Sequence, residues 1–237
     1  MASEPLVRPH VWVEKPAMYA QLPDLTGWRV LCLGCGTGEE CGELRRRGAD
    51  VVGIDTAADR LTVARRRHPD VTFHEQDMHD VAGHHAGLDL VYASLSLQYS
   101  DRIEDLLAAV RTVLRRGGVL QFSVPHPVRW GARLSDPLFD APDQHSVVGF
   151  ERAGDRVDVF GTYLSCREVE YAFADGQRLR FWCRPPSAYF AAMVAAGFAV
   201  TGFVETRAVD AARADSEPYW RLHQELPSFM VFQAVAR

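Results

Sequence analysis

Val30-Leu31-Cys32-Leu33-Gly34-Cys35-Gly36-Thr37-Gly38 is the stretch on which the reading of this chain turns. Four apolar residues form a short buried strand, and the glycines after them open into a helical stretch that runs to about Arg47 and stops at Gly48. The glycines are needed for two reasons. The turn takes backbone angles barred to residues with a Cβ, and a ligand can then approach the main chain closely.

Strand, glycine loop and helix open a parallel sheet covered by helices, and the sequence on either side repeats the alternation. A second strand is expected at 51–55, a helix at about 57–67 ending before Pro69, and a third strand at 71–76. A fourth strand follows at 88–93. Ile103, Leu106, Leu107, Val110, Val113 and Leu114 then recur at helical spacing, with Asp101 and Glu104 as a capping-box pair and Gly117-Gly118 as the stop. Strand five at 119–124 runs into Pro125-His126-Pro127, where two prolines end ladder pairing. From about 127 to 186 the pattern becomes aromatic and turn-rich, with strands expected at 157–160, 169–173 and 179–183. This segment reads as an insertion that forms a lid. A helix at 187–196 and strands at 198–205 and 229–235 complete the sheet. The whole of 1–237 is expected to be a single domain, with 1–28 as an N-terminal cap.

Composition narrows the partners. With 237 residues, 47% of them hydrophobic, the chain can bury one sizeable core. A net charge of −5 and a pI near 6.0 provide no basic field for a phosphate backbone, so no nucleic-acid partner is expected. The triplets Arg45-Arg46-Arg47 and Arg65-Arg66-Arg67 fall at helix ends, where cations complement the carbonyl dipole. No apolar run approaches the ~20 residues that span a bilayer, and the first ten residues lack a signal-peptide core, so a soluble, cytoplasmic protein without a membrane partner is expected. Five cysteines without a framework spacing suit a reducing compartment and predict no structural disulfide. His68, His74, His79, His84 and His85 crowd one region without a ligand spacing, so no metal is expected. Lys15, the only lysine, reads as compositional bias towards arginine.

The loop spacing is G-x-G-x-G, and Glu39 occupies the position where a dinucleotide fingerprint needs its third glycine. Glu39 and Glu40, at a helix N-terminus, would repel a pyrophosphate but tolerate a cationic amino group. Asp55, followed by Thr56, ends strand two, where a carboxylate can accept from both hydroxyls of a ribose. Asp77 and Met78 follow strand three, where an acid can accept from an adenine amino group while Met packs on the ring.

On these residues the chain resembles the class I S-adenosylmethionine (SAM)-dependent methyltransferases of small molecules, over about 29–124 and more weakly through the last helix and strands. The resemblance implies an α/β, Rossmann-like, seven-stranded and mostly parallel sheet whose last strand is antiparallel. It implies SAM as cofactor, with Gly34, Cys35, Gly36 and Gly38 beneath its methionine part, Asp55 and Thr56 at the ribose, and Asp77-Met78 at the adenine. Ser94-Leu95-Ser96-Leu97-Gln98-Tyr99 matches the family segment after strand four, which places Ser94 and Leu95 near the sulfonium. Family members often carry an acid where this chain has Cys32. Glu39 or Glu40 is the candidate for the missing charge.

Methyl transfer from a sulfonium is an in-line displacement that needs positioning and, for some acceptors, removal of a proton. His126, at the carboxyl edge of strand five with an unperturbed pKa near ~6.5, is the candidate base, the alternative being a hydrogen bond within its own loop. Tyr99 is the candidate for orienting an acceptor, or it packs beneath the lid. Trp12, Tyr19, Trp130, Trp182 and Tyr219 suggest an aromatic or amphipathic small-molecule acceptor. The expected function is a SAM-dependent methyltransferase acting on N or O of a metabolite in a biosynthetic role. Two alternatives are a SAM enzyme that releases methylthioadenosine by internal cyclisation and a SAM-binding module without turnover.

Overall fold

Val30, Leu31, Cys32 and Leu33 are all buried, and they alternate: Val30 and Cys32 join the apolar cluster on one face of a sheet, Leu31 and Leu33 the cluster on the other. This period of two makes the strand a wall between two half-cores. The computed structural model describes residues 10–130, 149–154, 156–160, 163–172 and 178–237.

A π-helical turn, His10–Glu14, leads into α1 (Lys15–Ala20), β1 (Arg29–Leu33), α2 (Glu39–Arg46), β2 (Asp50–Asp55), α3 (Ala58–Arg67) and β3 (Thr72–Glu75). Then come β4 (Leu88–Ser94), α4 (Ile103–Val113), β5 (Leu114–Pro125) and the short α5 (Pro127–Trp130). Two antiparallel hairpins follow, β6 (Gly149–Ala153) with β7 (Arg156–Phe160) and β8 (Arg167–Ala172) with β9 (Arg178–Cys183). The chain ends with α6 (Pro186–Ala195), β10 (Phe198–Glu205), α7 (Ala212–Asp215), α8 (Glu217–Glu225) and β11 (Phe229–Ala236).

Seven strands form one sheet in the order β10-β11-β5-β4-β1-β2-β3. β11 runs antiparallel to both its neighbours, and the ladders joining β5, β4, β1, β2 and β3 are parallel. This is the Rossmann-like α/β sheet the sequence implies. From β1 the chain first builds outward to β2 and β3, then returns to lay β4 on the other side, so the carboxyl ends of β1 and β4 diverge into a crevice. α4 buries Ile103, Leu106, Leu107, Val110 and Val113 over one face, and Leu44 of α2 and Leu61 of α3 lie in the cluster on the other. α1 is fastened to that second face, since Gln121 Nε2 on β5 donates to the Met18 carbonyl at 2.6 Å.

Several local expectations are corrected. α4 ends at Val113, and Leu114 already pairs with Leu88, so Arg115-Arg116-Gly117-Gly118 is a bulged strand start and not a helix stop. Arg115 is tied to Asp89 at 2.6 Å, and a Cβ on Gly118 would sit 2.9 Å from the carbonyl oxygens of both Leu88 and Arg115. Such a close approach of neighbouring backbone requires glycine. The capping box of Asp101 and Glu104 does not form either. Arg102 occupies the N-cap, which moves both acids one position out of register, and the Arg102 amide donates to Ser100 Oγ. β6 and α8 come without having been expected. α8 is entered through Ser216, whose hydroxyl accepts from the Tyr219 amide, with a proline in its first turn.

The loop after β1 depends on its glycines in different ways. Gly34 has φ +62°, and a Cβ there would lie 2.5 Å from Ser96 Cβ, whereas Gly36, at φ +53°, meets nothing nearer than an Arg60 nitrogen at 4.0 Å. Gly34→Ala is therefore expected to cost about 3 kcal/mol in urea unfolding, left-handed strain plus overpacking. Gly36→Ala should cost about 1 kcal/mol, strain alone; equal losses would contradict this packing.

Candidate functional site

A cavity of about 510 Å³ opens where the carboxyl ends of β1, β2 and β4 meet, and its floor is the glycine loop. Gly34, Cys35 and Gly36 line it from the loop, Asp55 and Thr56 from the end of β2, Met78 from beyond β3, and Ser94, Leu95 and Tyr99 from beyond β4. Glu39 and Glu40 close it from the first turn of α2. Most of the residues singled out in the sequence are thus brought together.

Asp55 organises this rim. Its Oδ2 accepts from the Gly36 amide at 2.7 Å and its Oδ1 from the Ala57 amide at 2.9 Å, so one carboxylate fixes both the loop and the approach to α3. Each oxygen keeps a lone pair for a further donor. Leu95, at φ +47°, is the one non-glycine residue with positive φ among the described residues. It is held there because its amide donates to Ser123 Oγ at 3.0 Å and Gln98 Nε2 donates to its carbonyl at 2.6 Å.

Three expected residues do not line the cavity. Gly38 is the left-handed N-cap of α2, and a Cβ there would meet the Phe73 ring at 2.8 Å, so its role is packing. Asp77 accepts from the His79 amide and contacts His79 Nδ1, both at 2.8 Å, which caps a short helical turn beside the cavity. His126 is buried at the β5–β11 crossing. Its Nδ1 accepts from the Val128 amide at 3.1 Å, so Nε2 carries the proton and donates to Glu205 at 2.9 Å. Burial lowers its basicity and the Glu205 carboxylate opposes that. Both ring nitrogens are engaged, one by Val128 of α5 and one by Glu205 at the end of β10, and neither is offered to the cavity.

The aromatic residues divide similarly. None of Trp12, Tyr19, Trp182 and Tyr219 is in the cavity wall, and the Trp130 side chain lies outside the described residues. Trp12 and Tyr219 belong to an apolar cluster that also takes in Leu95. Cys32, Cys35 and Cys41 are free and buried, and hydrogen bonding to Cys41 together with burial pushes the Cys35 thiol up, away from reactivity. Among the described residues no group of three His, Cys, Asp or Glu side chains could hold a metal ion, and no helix is long and apolar enough to cross a membrane.

The sequence reading missed the N-terminal contribution. Lys15 lies in the cavity wall, 2.5 Å from Glu39 Oε1 and 3.1 Å from Glu40 Oε1, which corrects its reading as a compositional accident. Burial works against its charge, but the two carboxylates outweigh that and hold it above the ordinary lysine range. Glu14, one residue earlier, is fully buried. Its Oε1 accepts from Ser94 Oγ at 2.9 Å and from Ser123 Oγ at 2.5 Å, while Oε2 has no hydrogen-bond partner among the described residues. Burial pushes this carboxyl up to about 7, with Glu40 adding to the effect and the two serines and Lys15 opposing it.

Residues 30–118 match the family model described as "Methyltransferase domain". Among curated proteins, a malonyl-[acyl-carrier protein] O-methyltransferase from Enterobacter lignolyticus is 34% identical over 107 residues, 45% of this chain and 43% of that protein. A trans-aconitate 2-methyltransferase from Deinococcus radiodurans is 35% identical over 111 residues, 46% of this chain and 42% of that protein. The chain thus spans less than half the length of these curated relatives. A solved SAM-dependent methyltransferase from Mesorhizobium loti superposes with a TM-score of 0.73 at 27% identity, covering 94% of this chain and 97% of that one.

Glu14 also marks stability. Between about pH 4.5, its ordinary value, and about 7, the folded chain keeps a proton that the unfolded chain has lost, so the contribution of Glu14 to stability falls as pH rises through this window. Glu14→Gln is therefore expected to gain on the parent by about 2.5 kcal/mol between pH 5 and pH 8 in chemical unfolding. A difference independent of pH would mean that Glu14 is not held protonated.

Proposed function

We propose that this chain, which carries a methyltransferase domain of the class I SAM-dependent type, binds SAM in the 510 Å³ cavity and transfers its methyl group to a small-molecule acceptor. The observation that carries the reading is the convergence of the glycine loop, Asp55, Met78 and Ser94-Leu95 on that one space. The residues present suit the group. The main chain at Gly36 is left uncovered, so a ligand can lie against it. The acids around the cavity favour a cation.

When bound, SAM supplies a methyl group already activated on a sulfonium. The chain's own residues bind and orient. Asp55, with Thr56 beside it, accepts from the ribose hydroxyls through its free lone pairs, and Met78 packs at the base, with Asp77 beside it at the rim. Lys15 stands between Glu39 and Glu40, so the amino-acid end of the ligand meets both signs of charge: Glu39 or Glu40 takes the ammonium, in place of an acid at Cys32, and Lys15 takes the carboxylate. Ser94 and Leu95 border the reacting centre, and Tyr99, half-exposed at the lip, orients the acceptor. An oxygen or nitrogen acceptor is proposed, the oxygen in keeping with the relatives' names. His10 from the N-terminal turn and Leu179 from β9 both line the cavity, which supports the described parts of 1–28 as a cap and of about 127–186 as a lid over the acceptor, the rest of both segments lying outside the described residues. His126 is assigned to tying the end of β5 to the end of β10 and not to proton transfer.

Calorimetry with SAM tests the reading. Asp55→Ala should weaken binding about 100-fold, from two lost hydrogen bonds to a charged acceptor. Lys15→Met should weaken it about tenfold, a partly exposed ion pair's worth. S-adenosylhomocysteine (SAH) is the expected product with a competent acceptor, and release of methylthioadenosine would replace methyl transfer by cyclisation. Absence of binding by the parent chain would end the proposal.

A further inference from the structure

The buried Glu14 carboxyl has no role in holding the cofactor's ribose, base or amino-acid end, yet it sits one hydrogen bond behind the cavity wall. Ser94 Oγ, on the residue that borders the cavity beyond β4, donates to Glu14 Oε1 at 2.9 Å. The second serine, Ser123, donates to the same oxygen and accepts from the Leu95 amide, so Glu14 is wired to both residues that border the reacting centre. Its other oxygen, Oε2, is buried and without a partner among the described residues. A buried carboxylate left half-satisfied is costly, and a buried neutral carboxyl much less so. The charged and titratable groups around it are Lys15 on its own segment, Tyr19 on α1, Glu40 on α2 and Tyr92 on β4, and of these only Lys15 is a cation, already committed to Glu39 and Glu40.

We infer that Glu14 is the counter-charge of the sulfonium: its carboxyl is neutral in the cavity without a cation, gives its proton to solvent as SAM enters, and takes one back once the methyl group has left. This rests on the SAM reading above. On binding, the Glu14 O–H bond breaks and the proton passes to water. On transfer, the S–CH₃ bond breaks with its electron pair kept by sulfur, a bond forms from the methyl group to the acceptor, and sulfur becomes a neutral thioether. The carboxylate is then unbalanced and regains a proton from water or from an acceptor that releases one. The chain thereby distinguishes the charged cofactor from its neutral product at a residue that touches neither, and product release is favoured.

SAM and SAH carry the same amino-acid end, so the ratio of their affinities isolates the sulfonium. Calorimetry of the full chain in two buffers of different ionisation enthalpy should find SAM binding accompanied by proton release near pH 6.5 that fades above about pH 8, and SAH binding with little release. The SAM-to-SAH affinity ratio should rise about tenfold from pH 6 to pH 8, the size expected of one screened charge pair several ångströms apart. Glu14→Gln should flatten that ratio, with SAH binding by the variant reporting an intact pocket. His10 lines the cavity and belongs to a residue type that titrates in this range, so the comparison is repeated in a His10→Gln background. If Glu14→Gln does not fold, infrared spectra of the parent chain decide: a protonated-carboxyl band lost with SAM and kept with SAH supports the inference. Equal proton release by both ligands, or a ratio that still rises in Glu14→Gln, overturns it while leaving SAM binding intact. Failure of both ligands to bind sinks the SAM reading itself and the inference with it.

Discussion

The bond from the Gly36 amide to Asp55 is the interaction on which the site depends. Gly34, Gly36 and Gly38 all adopt positive φ, a run that costs conformational entropy and offers no side-chain packing in return. What fixes it is the neighbouring strand. β1 and β2 pair in register from Arg29↔Asp50 to Leu33↔Ile54, so the next residue of β2 is delivered level with the loop. Its carboxylate then binds a loop amide with one oxygen and the Ala57 amide with the other. The parallel ladder is thus a positioning device: sheet pairing, set by burial of Val30, Leu31, Cys32 and Leu33, decides where the charge of Asp55 stands.

The parts of the fold that rest on local pattern were legible in the sequence. The alternation of short apolar strands with amphipathic helices gave the order of β1 to β5 and located the terminal pair of strands, while the seven-stranded sheet with one antiparallel member came from the family resemblance. Gly34, Gly36, Asp55 and Met78 were readable because each is a particular residue type at or just after a strand end, and strand ends follow from periodicity, whereas Ser94 was reached only through the family resemblance. Errors arose where two local signals competed. Gly117-Gly118 carries the composition of a helix stop, but the pairing of Leu114 with Leu88 and the ion pair of Arg115 with Asp89 draw the segment into β5 instead. His126 was placed correctly at the end of β5. Its neighbours were not readable, since Glu205 is 79 residues away.

The N-terminal segment shows the limit of pattern reading more clearly. Glu14 and Lys15 lie in a π-helical turn and a short helix with no amphipathic period to announce them, and their partners are distant. Ser94 is 80 residues from Glu14 and Ser123 is 109. A charged pair near a chain end reads as solvated surface by every compositional rule. Here α1 is pinned to the sheet by Gln121, and that carries Glu14 and Lys15 over the ends of β4 and β5, where burial makes their charges matter.

Charge arrangement also explains why this glycine loop suits a sulfonium better than a pyrophosphate. A helix N-terminus attracts anions, and dinucleotide sites use it so. In α2 the first turn already holds Glu39 and Glu40, which occupy the favourable field and place negative charge where a phosphate would sit. Lys15 bridges those two acids and leaves the remaining cavity with Asp55 in its wall and Glu14 behind it. In the cavity wall the acids Glu39, Glu40 and Asp55 outnumber the cations Lys15 and Arg60 by one, so a ligand that brings one net positive charge balances that surface, whereas one that brings two negative charges adds to the excess. The loop and the sheet could serve either class of cofactor. The acids at the start of α2 and Asp55 beside the loop tilt the cavity towards a cation.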